Sequence, residues 1–331
     1  MRALVCERWC DYDELVVRDI APPPLRPGSV RIKVAAAGVS FATQLVVSGR
    51  YQRKPPLPFS PGTDAVGTVL ETAAGVAGLA RGTPVFAALD WSGCAEEAVV
   101  DAIHVMPVPP ALDLISAVAL PHSYSTAAGA FLWRRPLQPG DWVLVHGAGG
   151  GVGLAAVEIG RALGARVIAR AGAAKHAALR ARGAEVVLDS AVPFRDAVRQ
   201  VSGGGVQVVF DSLGGDVFDE SLRCLAEGGT LLTIGYAAGG IPHLPLNLLL
   251  LKNIGVAGFN WGTYVGWAPG DNRETYAPQV RALWRRLLEW WQAGQIAPTV
   301  QARFPLQDFR AAMAAVRERS VLGRVVLLPG A

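Results

Sequence analysis

Ala148, Gly150 and Gly153 stand in the spacing A-x-G-x-x-G within the glycine-dense run His146-Gly147-Ala148-Gly149-Gly150-Gly151-Val152-Gly153. The chemistry open to such a run is anion binding. Glycine lets the backbone approach a pyrophosphate, and amides at the start of a following helix face the anion with the helix dipole behind them. Two cations come next, Arg170 and Lys175, with no Asp or Glu between Arg166 and Ala184. An NAD site places an acid about 20 residues past the first glycine, on the ribose hydroxyl. Here Arg170 holds that place, and two cations without a carboxylate suit a 2′-phosphate, so NADPH is the expected nucleotide. The alternatives are a flexible glycine turn and ordinary solvated cations at a helix start.

These residues need elements to position them. Residues 143–145 form a short apolar run that reads as a buried parallel strand. From Val152 to Leu163 the apolar residues take a helical period, with Glu158 and Arg161 on the polar side, and residues 166–169 give a second strand. Strand, tight turn, helix and strand make one unit of a dinucleotide-binding fold. Further strands at 186–188, 206–210, 230–234 and 254–258 alternate with helices, which predicts a doubly wound parallel sheet.

Upstream the pattern differs. Residues 1 to about 120 carry strand candidates at 3–6, 15–18, 30–36, 65–71, 84–88 and 95–100, punctuated by proline and glycine turns. That reads as a barrel-like β domain. Asp113 caps a short helix through Leu120, and a longer helix is expected from Ser123 to Trp133. An amphipathic helix begins at Pro278, with Val280, Leu283, Trp284, Leu287, Leu288 and Trp291 on one face. After Gly294 short strands return, and this tail is expected to rejoin the first domain.

Composition narrows the function classes. The 331 residues suffice for two domains, and 51% hydrophobic with 18% charged residues describes a compact soluble protein. The longest apolar run, 244–251, contains Pro245 and Asn247, well short of the roughly 20 residues a membrane span needs. Net charge is +4, and no basic run exceeds two residues, so nucleic-acid binding is not expected. Four cysteines without paired spacing and no visible signal peptide point to a reducing, cytoplasmic setting. Cys6 and Cys10 have no second pair to complete a zinc site, and no two histidines fall at i, i+4, so no metal is expected.

Several motifs together resemble the medium-chain dehydrogenase/reductase superfamily, within it the zinc-free quinone oxidoreductases related to zeta-crystallin. They are Ala37-Gly38-Val39-Ser40-Phe41, Ser48-Gly49-Arg50-Tyr51, Pro58-Phe59-Ser60-Pro61-Gly62-Thr63-Asp64, the glycine turn, Phe210-Asp211-Ser212-Leu213-Gly214-Gly215, and residues 255–261. The resemblance implies an α/β architecture in which a Rossmann doubly wound parallel sheet is inserted in a GroES-like β-barrel domain. Residues 1–122 would be the catalytic domain, 123–262 the NADPH-binding domain, and 263–331 a segment returning to the catalytic domain. It also implies an active site in the cleft between the domains and a homodimer through the edge strand near Ile254 and Gly258.

Departures from the superfamily pattern carry information. Zinc-dependent relatives have a cysteine near Ser40 and a Gly-His-Glu where this chain has Gly62-Thr63-Asp64. Without a Lewis acid, polarising an alcohol or ketone is difficult, whereas an electron-poor quinone or activated alkene remains reducible. Quinone oxidoreductases usually have asparagine where Ser40 stands, and some have tyrosine where Leu45 stands, but Tyr51 is retained. Related enoyl-thioester reductases use this tyrosine as a proton donor, and a phenol of pKa about 10 is a sensible acid for a carbanion or enolate. Tyr51 and Ser40 are therefore the expected catalytic residues.

Cofactor contacts carried over by position are Phe41, Thr43, Thr126, Gly150, Gly151, Val152, Arg170, Gly172, Lys175, Ser190, Leu213, Gly235, Tyr236, Ala237, Phe259, Asn260, Trp261 and Arg324. Ser190 stands where relatives have an adenosine-contacting tyrosine. The expected activity is hydride transfer from NADPH to a quinone or α,β-unsaturated carbonyl. The alternatives are an enoyl-thioester reductase, for which Arg50, Arg53 and Lys54 would meet a phosphate-bearing arm, and a non-catalytic NADPH-binding sensor or RNA-binding protein.

Overall fold

A computed structural model describes residues 1–268 and 270–331. The first stretch builds β1 (Arg2–Val5), β2 (Val16–Asp19), β3 (Ser29–Val39), α1 (Phe41–Val47), β4 (Asp64–Thr72), β5 (Pro84–Ala88), β6 (Glu97–Asp101) and β7 (Val105–Pro107). The last of these is too short for its pattern to announce it. β3 organises this part. Along one edge it pairs with β4, and along the other Ser29 to Lys33 pair with β6. Register irregularities near Arg31 and Val34 bend the long strand so that one element can serve several partners.

A helical stretch follows, with α2 (Ser125–Gly129) flanked on each side by a π-helical turn, Leu120–Tyr124 and Ala130–Arg134. The two separate helices expected here are thus joined. Asp113 does cap the preceding turn, its Oδ2 accepting from the Ser116 amide at 3.0 Å.

The next elements are β8 (Trp142–His146), α3 (Gly151–Ala162), β9 (Arg166–Ala171), α4 (His176–Ala181), β10 (Val186–Asp189), α5 (Arg195–Ser202) and β11 (Val206–Asp211). After them come α6 (Val217–Cys224), β12 (Leu225–Thr233), α7 (Leu246–Lys252) and β13 (Gly255–Gly258). The six strands form one sheet in the order β10-β9-β8-β11-β12-β13, every pair parallel. The order reverses between β8 and β11, a switch point whose carboxyl-end crevice is where such sheets bind ligands. Leu144, Ile168, Phe194, Val198, Val209, Phe218, Leu222 and Leu231 pack the core. Buried Glu158 of α3 accepts from the Tyr124 hydroxyl at 2.7 Å, Arg182 Nη1 at 2.6 Å and the Ala297 amide at 2.8 Å. Burial pushes its carboxyl upward, and these three donors oppose that shift.

The tail contributes α8 (Arg273–Gln292), β14 (Val300–Pro305), α9 (Phe309–Arg317) and β15 (Arg324–Leu328). α8 starts five residues ahead of Pro278, which lies inside it and forgoes one backbone bond. Val280, Leu283, Trp284 and Leu287 are buried as expected, but Trp290 is more deeply buried than Trp291. β14 pairs with β15 and β15 with β3, completing a seven-stranded sheet.

The chain divides into two compact units. One comprises Met1–His122, Trp261–Arg286 and Pro298–Ala331; the other comprises Ser123–Asn260 and Leu287–Ala297. The returning segment is therefore split, with Leu287–Ala297 counted in the sheet-bearing unit. Among the described residues no helix is long and apolar enough to cross a membrane.

Candidate functional site

The glycine turn follows β8 at the switch point. Gly147 has φ +62°, a left-handed conformation that favours glycine. A Cβ at Gly153 would lie 2.2 Å from the Gly147 carbonyl oxygen. Only glycine allows the helix start to close onto the turn in this way. Gly150 caps α3, and the amides of Gly151, Val152 and Gly153 belong to its first turn, which has no intrahelical acceptors.

Lys175 reaches this turn from just past the carboxyl end of the neighbouring parallel strand β9. A Cβ on Gly149 would lie 2.3 Å from Lys175 Cδ and 3.1 Å from its Nζ. The ammonium thus lies against the bare backbone of the turn. Gly172 caps the short 3-10 turn that carries it, accepting from the Lys175 amide at 3.0 Å. This arrangement fits a dinucleotide: bared amides for the pyrophosphate and a cation beside the turn.

Arg170 has a different occupation from the expected one. It is 7% exposed, its Nη2 donates to the carbonyls of Ser190 (2.7 Å) and Val192 (3.1 Å), and its Cζ lies 4.5 Å from the Phe194 ring centre. Its guanidinium holds the loop after β10 rather than standing free for a phosphate. Ser190 enters that arrangement through its backbone carbonyl, and its exposed side chain is a serine where a ring would be needed to cover adenine. Next to this loop, His146 is fully buried, with Nε2 2.8 Å from Ser221 Oγ, and burial assisted by Arg170 pushes its pKa down to about 3.

The loops after β11 and β12 are tied together. Ala237 donates to Ser212 O at 3.2 Å and Ala238 to Leu213 O at 2.9 Å, so Leu213, Gly235, Tyr236 and Ala237 gather at the carboxyl ends of the strands. Leu213 also packs beside Gly147, its Cδ2 3.2 Å from where a Cβ would stand. Asp211 holds this loop. Its Oδ1 accepts from the Leu213 and Gly214 amides at 2.8 and 3.0 Å. Sequence reasoning assigned Asp211 no role, although an Asp three residues before glycine is the sign of such a turn. Phe259 donates to Thr233 O at 3.1 Å, which brings Phe259 and Asn260 to the same end of the sheet. Thr126 is buried in α2, and a Cβ on Gly129 of that helix would lie 2.5 Å from Phe259 Cζ. Trp261 belongs to the other unit, where it stacks on Tyr264 at 5.8 Å.

In that unit α1 carries the expected catalytic residues. Ser40 precedes the helix; its amide donates to Thr43 Oγ1 at 3.2 Å, and the two hydroxyl oxygens are also 3.2 Å apart. Phe41 opens the helix, partly exposed. At the other end Gly49, with φ +67°, turns the chain against Trp9. The Arg50 and Tyr51 amides both donate back to Leu45 O, at 2.9 and 3.1 Å. Seven residues of helix, about 10 Å, separate Ser40 from this turn. The Tyr51 ring is half-buried, and burial raises its pKa against a weaker opposing hydrogen bond from Gln52.

Arg324 is not an open cofactor contact. It is 5% exposed and its Nη2 donates to Asp64 Oδ2, with Asp64 2% exposed. Gly38 makes room for the pair, since a Cβ there would overlap Arg324 Nη2. Buried His122 feels both charges, and burial pushes its pKa down. Thus Ser40 and Thr63 stand where zinc-dependent relatives have cysteine and histidine, and Asp64, where they have glutamate, is already held in an ion pair. Neutral hydroxyls are poor ligands for zinc, which takes thiolate, imidazole or carboxylate.

Comparison with known proteins agrees with this geometry. An alcohol dehydrogenase GroES-like domain model matches residues 26–110, and a zinc-binding dehydrogenase model matches residues 151–280. The chain is similar to quinone oxidoreductase-like protein 2 of Mus musculus, 38% identical over 330 residues, covering 98% of this chain and 91% of the relative. Among solved structures it is similar to mycobacterial Rv1454c complexed with NADPH (30% identity, TM-score 0.90, 99% of this chain and 100% of that one). It is also similar to the quinone oxidoreductase of Thermus thermophilus, solved alone and with NADPH (31% identity, TM-score 0.83, 99% and 100% coverage). With the glycine turn, the α1 segment and the altered zinc positions in one chain, this protein belongs to the zinc-free, quinone oxidoreductase-like branch of the medium-chain dehydrogenase/reductase superfamily and is an oxidoreductase.

Proposed function

We propose that this oxidoreductase reduces quinones or α,β-unsaturated carbonyl compounds with NADPH and without a Lewis-acid metal. The observation that carries the reading is the ion-paired Asp64 beside Thr63, with Ser40 where zinc-dependent relatives have cysteine. Those residues offer nothing to polarise an unactivated ketone, so the acceptor must already be electron-poor. When bound, NADPH supplies the hydride. The amides of Gly151 and Val152 hold the pyrophosphate at the α3 dipole, and Lys175 meets the 2′-phosphate. Tyr51, kept protonated by its burial, gives its proton to the enolate of an alkene acceptor. The Ser40 hydroxyl, oriented by Thr43, holds the acceptor carbonyl or the nicotinamide ribose. The thioester alternative is weakened at Arg53, whose guanidinium donates to Asp90 and Gly266 O instead of standing free.

Steady-state oxidation of NADPH against a panel of quinones, enones and simple ketones tests this reading. Turnover is expected with the first two classes and not with the third; inactivity on every quinone and enone would remove it. In the same assay Lys175→Ala should raise the KM for NADPH by about tenfold, the size of one charge-assisted hydrogen bond, and leave that for NADH nearly unchanged. Equal losses for both nucleotides would take Lys175 off the 2′-phosphate.

A homodimer through β13 is part of the proposal. β13 is the last strand of its sheet, and beside it Leu246, Leu250 and Leu251 of α7 are at least 70% exposed. An unpaired edge flanked by apolar side chains favours pairing with a second copy. Sedimentation should give a dimer for the native chain and a monomer for Leu250→Glu/Leu251→Glu. A monomeric native protein at micromolar concentration would contradict it.

A further inference from the structure

We propose that Trp267 is a positioning residue for Tyr51, its indole clamped by an arginine–aspartate chain so that the phenol is held in one orientation. The inference rests on the reading of Tyr51 as proton donor. Backbone bonds to Leu45 O fix where the Tyr51 main chain lies, but they leave the ring free to turn about χ1 and χ2. Gln52 reaches the hydroxyl itself, and a contact on the ring is needed to set its plane. Trp267 provides it, with ring centroids 5.8 Å apart and planes at 69°, the edge-to-face geometry that aromatic pairs favour.

Trp267 is itself fixed on several sides. It is 5% exposed, its Nε1 donates to Leu89 O at 3.1 Å, and its amide donates to Gly262 O at 2.6 Å. Arg53, two residues beyond Tyr51, places its Cζ 5.3 Å from the Trp267 ring and 5.6 Å from the Trp91 ring. The same short segment thus sends the phenol and the guanidinium to one indole. Arg53 Nη1 donates to Asp90 Oδ1 at 2.8 Å and also to Gly266 O, the residue before Trp267.

Asp90 is shared with a second arginine. Arg273 donates to its two oxygens at 2.9 and 3.1 Å, and also to Asp101 at 2.7 Å and Asp271 at 2.8 Å. Gly266, with φ +83°, lies under this guanidinium: a Cβ there would stand 2.4 Å from Arg273 Nη2. Both arginines therefore clamp the segment that carries Trp267. Largely buried ion pairs add little net stability, because desolvation offsets their attraction. The consequence of this chain is a fixed indole, and through it a fixed phenol.

The test uses Trp267→Ala and Trp267→Phe, each alone and with Tyr51→Phe, in NADPH oxidation with an enone, alongside ultraviolet titration of the phenols. Trp267→Ala should lower kcat about tenfold, the upper worth of an aromatic pair, with the KM for NADPH unchanged and Trp267→Phe restoring most of the loss. On the Tyr51→Phe background it should cause no further drop. The phenol that vanishes in Tyr51→Phe should titrate at lower pH in Trp267→Ala, because its shield is gone. Equal kcat losses on both backgrounds, or an unmoved titration, would overturn the inference. Should Trp267→Ala fail to fold, Arg53→Met removes the clamp and leaves both indoles, and it must show the same kcat–KM split or the inference falls. Unchanged enone turnover in Tyr51→Phe alone would remove the proton-donor reading, whereas the titration reports on the Tyr51–Trp267 contact whatever the chemistry.

Discussion

Asparagine in place of Asp64 is expected to cost about 3–5 kcal/mol of stability, because it strands a buried guanidinium. Arg324 Nε already lacks a hydrogen-bond partner, so the Asp64 carboxylate is its principal compensation. The pair lies where β4 begins and β15 begins, both neighbours of β3, so the loss falls on the centre of the seven-stranded sheet. His122 does not replace it: burial first, and Arg324 after it, disfavour its charged form, and an imidazole brings no negative charge to the guanidinium. Thermal unfolding should shift down by roughly 10 °C. The double variant Asp64→Leu/Arg324→Met should be less damaging than either single change, since it leaves no lone charge. Additive losses would mean that the two side chains do not compensate one another.

Phenylalanine in place of Tyr51 is expected to lower kcat on an enone about 100-fold, the lower end of what a general acid contributes, with a much smaller effect on a quinone. The difference follows from where the proton goes. A reduced quinone bears its charge on oxygen and takes protons rapidly from water, whereas an enolate must be protonated at carbon. Because burial raises the phenol above its ordinary pKa of about 10, the donor stays loaded across the neutral range. Rates limited by Tyr51 should therefore be flat from about pH 6 to 9 and fall only as pH rises through the raised value. A fall beginning near neutrality would assign the proton to another group, and equal losses on enone and quinone would argue for a packing role.

The two architectures were legible from the residues because each rests on local pattern. Short alternating runs between prolines and glycines are the pattern of strands and turns, and a glycine turn between an apolar run and a helical period is the pattern that opens a nucleotide-binding unit. Elements whose signals are weaker escaped: β7 is three residues long, and the helical stretch around α2 runs on through π-turns where a break was expected. Pro278 looked like a helix start but lies inside α8, since packing of Val280, Leu283 and Trp284 outweighs one missing bond.

For the candidate site the division is sharper. Sequence alone determined the glycine turn, the replacement of zinc ligands by Ser40 and Thr63, and the presence of Tyr51 after a glycine. It could not decide what long side chains do. Arg170 and Lys175 look equally suited to a phosphate, yet one spends its guanidinium on Ser190 and Val192 and the other lies across Gly149. Arg324 finds Asp64 across 260 positions, and Arg273 joins Asp90, Asp101 and Asp271. A charged group's partner is fixed by distances that only the closed fold sets, and its energy depends on burial that no local pattern records.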